Sequence, residues 1–156
     1  MKDKKTKTLI FHGLGFPVKL INASMKKVFG EWCFDINLNK LMKVVLEALI
    51  HKPTALTGGE LEFIRSYLKI TLKEVSKLLG VSQAAVLKWE KEKNKISPSL
   101  ELCIRLYVLD HLQVKDAAFR AFYKDVSLGQ LSKSSKAKAR PLIVDVTTEE
   151  FKIAPL

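Results

Sequence analysis

Gly80 restricts the fold of this chain more than any other residue. It stands between Leu72–Leu79 and Ser82–Lys91, two runs whose apolar residues fall at helical spacing. Thr71 and Glu74 form a capping box at the start of the first run, the hydroxyl serving one orphan amide and the carboxylate another. Gly80 stops that helix, because a residue without Cβ accepts positive φ freely. Ser82 caps the second helix, which runs to about Lys91. A chain with this pattern must bend sharply at Gly80 and cross one short helix over another.

Such a pair makes further demands, and this stretch meets them together. A small residue must sit where the second helix crosses the first, and Ser76 does. Apolar residues must lock the two helices, and Val75, Leu79, Val81, Val86 and Trp89 occupy those places. The pattern predicts a helix-turn-helix.

The flanks support a helical domain. Thr57-Gly58-Gly59-Glu60 is a second capping box, opening a helix with Leu61, Ile64 and Leu68 on one face. Ser97-Pro98 opens another, with serine as cap and proline at the first helical position. That helix, near Pro98–Leu112, is apolar almost all round and needs cover on every side. The N-terminal segment, the next helix or a second subunit would supply it. The next helix is expected at about Lys115–Asp125, with Ala118, Phe119, Phe122 and Tyr123 as its apolar residues.

Before the capping boxes, a helix from about Asn39 to His51 carries Leu41, Val44, Val45, Ala48 and Leu49, with Asn37 or Asn39 as cap and Pro53 as its end. Residues 9–36 favour extended structure, with Asn22-Ala23-Ser24 as a turn. Residues 1–8 read as a basic arm, and residues 127–156 as a basic linker and tail. Within that tail, Pro141–Val146 suits a short strand, added to the N-terminal segment or swapped onto a second chain. The expected domains are therefore 1–8, 9–54, 55–126 and 127–156. The expected fold class is mainly α: a helix-turn-helix bundle of about five helices with a small β-type N-terminal segment.

Charge narrows the partner. The net charge is +11, with a pI near 9.7, which attracts polyanions such as nucleic acid. Hydrophobic residues at 47% allow a packed core, and the longest apolar stretch, Leu41–Ile50, is interrupted by Lys43 and Glu47 and too short to span a bilayer. Only Cys33 and Cys103 occur, far apart, so a reducing cytosolic setting is expected. His12, His51 and His111 have no metal-ligand spacing to one another or to the cysteines. Gly13-Leu14-Gly15 is an isolated fragment of a nucleotide-binding pattern. No nucleophile–base set is legible, so neither an enzyme nor a cofactor is expected.

The segment Arg65…Thr71-Leu72-Lys73-Glu74-Val75-Ser76…Gly80-Val81-Ser82-Gln83…Val86…Trp89-Glu90 resembles the lambda-repressor-like family (the Cro/repressor, xenobiotic-response-element type) over roughly residues 57–113. The resemblance implies a structural ion pair between Arg65 and Glu90. It also implies that the Ser82–Lys91 helix enters the major groove of double-stranded DNA. Gln83 and Ala84 then stand first at base edges, with Lys88 a turn further on. Thr71, Lys73, Ser82 and Lys91 complete the expected DNA-binding set. The function implied is a sequence-specific transcriptional regulator, a repressor that binds as a homodimer. The layout is also similar to antitoxin-type regulators, whose alternative implication is a module that binds a partner toxin and autoregulates its operon. Some of those hold zinc on two CxxC pairs. Cys33 stands alone, so no zinc is expected here.

Overall fold

The computed structural model describes residues 5–112, 117, 140–147 and 151–153. Two compact units make up the chain: Met1–Ala48 with Arg140–Leu156, and Leu49–Ala139. The expected helix at 115–125 and most of the basic linker lie outside the described residues.

The first unit contains a five-stranded sheet, so the fold is mixed α/β rather than mainly α. Strand β1 (Lys5–Phe11) pairs antiparallel with β2 (Val18–Val28), which pairs antiparallel with β3 (Glu31–Phe34). Lys5–Thr8 thus belong to a strand and not to a basic arm. No turn forms at Asn22-Ala23-Ser24. The strand runs through, with an extra residue accommodated as a bulge where Asn22 takes φ 56°. The chain turns instead at Phe29 and Gly30, both at positive φ (49° and 87°), as a two-residue hairpin loop requires.

The tail returns to this sheet. β4 (Leu142–Asp145) lies parallel to the first part of β2, with Val18 opposite Leu142 and Leu20 opposite Val144. β5 (Lys152–Ile153) pairs with β4. Parallel pairing needs a long crossover, and along the sequence the whole second unit lies between the two strands. Of the two arrangements open to Pro141–Val146, the one observed is addition to the N-terminal strands of the same chain. Val18, Leu20 and Ala23 of β2 are fully buried, with Leu142, Val144 and Val146 close to it.

Helix α1 (Leu38–His51) starts where the Asn37 side chain accepts the Lys40 amide at 3.1 Å. Its Leu41, Val45 and Leu46 are fully buried. The division between the units falls in its last turns.

The second unit holds α2 (Gly58–Tyr67), α3 (Leu72–Leu79), α4 (Gln83–Glu90) and α5 (Pro98–His111). Both expected capping boxes are complete, Thr57 with Glu60 and Thr71 with Glu74. Ser82 and Ser97 cap α4 and α5. Leu61, Phe63, Ile64, Leu68, Val75, Val86, Trp89, Ile104, Val108 and Leu109 are buried and supply the core. Burying side chains of this size stabilises by roughly 1.5–3 kcal/mol each, so the apolar faces, more than the caps, hold the bundle. Cys103 is exposed although its helix is apolar almost all round: α5 turns Glu101, Ile104, Arg105, Val108 and Leu109 inward, and Cys103 lies on the opposite side.

An ionic knot underlies these helices. The Arg105 side chain is fully buried, and its guanidinium donates to the carbonyls of Ile50 (2.9 Å), Lys52 (2.6 Å) and Thr54 (2.8 Å) and to the Glu101 carboxylate (3.2 Å). Glu101 also accepts the Leu56 amide at 2.6 Å. Lys52 reaches both carboxylate oxygens of Glu60 at 2.9 Å. Arginine suits the end of a helix, where carbonyls lack partners. Burial pushes the Glu101 carboxyl above its ordinary value, against the pull of Arg105 and the Leu56 amide.

Candidate nucleic-acid interface

The turn between α3 and α4 follows from Gly80, which takes φ 66° and ψ 35° and donates its amide to the Ser76 carbonyl. The Val81 amide also bonds to Ser76, at 3.0 Å, which closes the end of α3. Ser76 is buried, as a close helix crossing requires, and its hydroxyl donates to the Lys73 carbonyl at 2.7 Å. The two helices therefore meet around a small side chain at one end and a left-handed glycine at the other.

Helix α4 has two distinct sides. Val86, Trp89 and Glu90 are buried. Gln83, Ala84, Leu87 and Lys88 are exposed, as are Ser82 before the helix and Lys91 after it. Trp89 is a core residue, as its position in the pattern predicts. Thr71 and Lys73, at the start of α3, are exposed too. Every residue expected to touch DNA thus lies at the surface of this unit, at the α3 start, the α4 start, the outer side of α4 or just after its end.

The inner side of α4 is fixed by Arg65, which bonds Glu90 twice: Nε to Oε1 at 2.6 Å and Nη2 to Oε2 at 3.2 Å. That bond to Glu90 raises the Arg65 pKa further above its ordinary value. This is the structural ion pair that the resemblance implies. A second tie was not foreseen. The Gly58 amide donates to the Glu92 carboxylate at 2.8 Å, and a Cβ on Gly58 would lie 2.5 Å from the carbonyl oxygens of Trp89 and Glu90. Only glycine lets the start of α2 approach the end of α4 so closely. Sequence read Gly58 as part of a capping box; the backbone approach has no signal in a single chain.

Charge is sorted by the same contacts. The carboxylates near this surface are turned to donors of the protein itself: Glu74 to the Thr71 amide, Glu90 to Arg65, Glu92 to Gly58. The Glu74 carboxyl is held below its ordinary value, chiefly by the Thr71 amide and then by the Thr71 hydroxyl. Lys73, Lys77, Lys88, Lys91 and Lys93 are exposed. The result is a surface with cations outward, combined with a helix whose first residues, Gln83 and Ala84, are exposed.

Comparison with known proteins agrees with this geometry. Residues 64–106 match the family model described as Helix-turn-helix. The match starts at the buried Ile64 of α2, takes in α3 and α4, and ends within α5. This segment is a DNA-binding helix-turn-helix of the lambda-repressor-like type. Searches of the curated proteins and of the solved structures gave no match.

Among the described residues, no three His, Cys, Asp or Glu side chains gather as a metal-binding group. No helix of the described residues is long and apolar enough to cross a membrane.

Proposed function

We propose that the chain is a sequence-specific transcriptional regulator, a repressor, that reads the major groove of duplex DNA with α4. One observation carries this reading. Gln83, Ala84 and Lys88 project from the same short helix whose opposite side is locked down by Val86, Trp89 and Glu90. An anchored helix that exposes polar and small side chains near its start is what base-edge readout requires.

The roles follow from side-chain chemistry. Gln83 pairs with the two major-groove positions of adenine, and Ala84 meets a thymine methyl. Lys88 reaches a guanine edge or a phosphate, and Lys73 and Lys91 meet phosphates. The Ser82 hydroxyl accepts the Ala85 amide and keeps a proton to donate to a phosphate oxygen, and the exposed Thr71 meets the phosphate chain at the start of α3. Both helix starts add backbone amides and a favourable dipole.

One such module reads few base pairs, so the functional form is a two-fold homodimer on a palindromic site. The half-buried Leu102, Leu106 and Tyr107 of α5, with the exposed Cys103, offer a surface for it. The protein acts in the cytosol, without cofactor or catalysis.

Selection of bound duplexes from a random pool tests the reading. One enriched two-fold symmetric sequence is expected, and recovery of none at moderate salt refutes it. Light scattering at micromolar concentration tests the dimer, which a monomeric mass overturns.

A second reading rests on the sheet unit, a separate folded body that DNA reading by α4 does not use. In this reading the chain is antitoxin-like: the sheet unit binds a partner toxin, and α4 represses the shared operon. Co-purification with the product of an adjacent gene supports it. Isolation of the chain alone from its native host counts against it.

A further inference from the structure

The sheet of the first unit has one face that is buried at one end and open at the other. In paired strands, residues opposite each other share a face, and alternate residues along a strand return to it. Val18, Leu20 and Ala23, with Leu142 and Val144, mark this face where it is buried. Continuing along β2, the same face carries Met25 and Lys27. Their partners across the strands are Lys5 and Phe34 for Met25, and Trp32 for Lys27. Lys7 joins them, opposite Ala23.

This open end combines aromatic and basic side chains. Trp32 is 38% exposed and Phe34 40%. Lys5 stands over the Trp32 ring, 5.3 Å from its centroid. Lys5, Lys7 and Lys27 are exposed, and the described strand residues of this face include no carboxylate. Among the described residues of these strands, Glu31 is on the opposite face, where Lys26 is already paired with Asp35 at 3.1 Å. At the hairpin tip beside this face, Phe29 is fully exposed.

Each property selects among occupants. Two exposed aromatic side chains on one face of a strand offer stacking to planar groups. Lysines without a carboxylate among them select a polyanion. A second copy of this chain is not that, since it carries the same positive face. A ligand that is both a string of planar rings and a polyanion is a nucleic acid with unpaired bases. Duplex DNA buries its rings in its own stack and presents no partner for Trp32.

We propose that this face binds single-stranded nucleic acid, with bases stacked on Trp32 and Phe34 and the phosphate chain held by Lys5, Lys7 and Lys27. The site belongs to the sheet unit and is independent of α4. Because every base has a π face, its selectivity is for single strands and not for a sequence.

The test uses the full chain, a labelled oligothymidylate and its ribo counterpart, read by fluorescence anisotropy. Binding is expected at low salt and weakens as salt rises. The W32A/F34A variant is expected to lose affinity by about tenfold or more. The W32L/F34L variant keeps the apolar area without the stacking, and is expected to lose affinity comparably, which guards against a folding defect in the first. In W32F, binding persists while the quenching of tryptophan emission on binding disappears. A Q83A/K88A variant binds the single strand as wild type does, so failure of this proposal is distinct from failure of the duplex-reading role of α4. Undiminished binding by both W32A/F34A and W32L/F34L overturns the proposal. So does loss of binding in Q83A/K88A, which would assign the strand to α4. Preference of the wild type for anionic vesicles, or a dimer-to-monomer shift in W32A/F34A with single-strand binding unchanged, would give the face to a membrane or a second copy and also overturn it.

Discussion

The Arg65 guanidinium holds the Glu90 carboxylate through two parallel hydrogen bonds, 2.6 and 3.2 Å, and so ties the last turn of α4 to α2. The Glu90 side chain is nearly inaccessible, and that of Arg65 about one-fifth exposed. The pair sets the pose of the helix whose outer side carries Gln83 and Lys88.

Removing Arg65 leaves Glu90 buried without its partner. Arg65→Ala is expected to cost about 3 kcal/mol, at the low end for a buried pair because Arg65 touches solvent. Arg65→Lys recovers only part of this, since an ammonium cannot make the two-pronged contact. Urea unfolding midpoints measure both; equal stability of all three proteins would deny the pair its anchoring role.

Gly58 has no room for a methyl group against Trp89 and Glu90. Gly58→Ala should therefore destabilise by about 1–3 kcal/mol, although alanine is the better helix former. Gly59→Ala, one position further along α2, serves as the control for helix propensity. The contrast between the two, read by thermal unfolding, checks the close approach.

Arg105 gathers three backbone carbonyls and Glu101 in a dry setting. Arg105→Met is expected to cost about 3–5 kcal/mol, because the buried Glu101 loses its cation and keeps only the Leu56 amide, and the carbonyls lose the guanidinium. The double variant Glu101→Leu with Arg105→Met should be less damaged than the sum of the single changes. A double-mutant cycle in denaturant measures the coupling.

On duplex DNA, Lys88→Ala should weaken binding by about 1–3 kcal/mol if Lys88 reads a base. The loss then concentrates on the selected site. A uniform loss on all duplexes, with a shallower salt dependence, would make Lys88 a phosphate contact. Gln83→Ala is expected to relax the preference at one position only.

Glu74 provides a pH signature. Its pKa in the fold lies below its ordinary value because the Thr71 amide binds the ionised form. The ionised cap therefore contributes stability above the ordinary glutamate range, and the contribution fades as pH falls through that range and the lowered folded value. Glu74→Gln keeps an acceptor but has no charge to titrate. The stability difference between wild type and this variant should shrink on acidification, as followed by circular dichroism melts. A constant difference would contradict the assignment.

Local chemistry made the DNA-reading half legible. A capping box needs only two residues three apart, and a left-handed stop needs a glycine, so Thr71, Glu74, Gly80 and Ser82 announced their roles. The exposed side of α4 followed from the same period, because Val86 and Trp89 take the inner side. The sheet was read less well. Asn22-Ala23-Ser24 has turn composition, yet pairing with β1 and β3 on both edges of β2 carries the strand through it. Tertiary pairing overrode local preference there.

By itself the sequence determined the capped starts of α2, α3, α4 and α5, the bend at Gly80 and the residues that α4 turns outward, all set within a few neighbouring residues. Only the tertiary structure decided the contacts between distant parts: Gly58 beneath the end of α4, Arg105 on the carbonyls of residues 50–54, Leu142–Asp145 beside β2, and Trp32 with Phe34 on an open basic face. The physical reason is separation along the chain. Caps and helical faces act over one or two turns, whereas which strand lies beside which, and which polar group finds a partner in the core, depends on the burial of the whole.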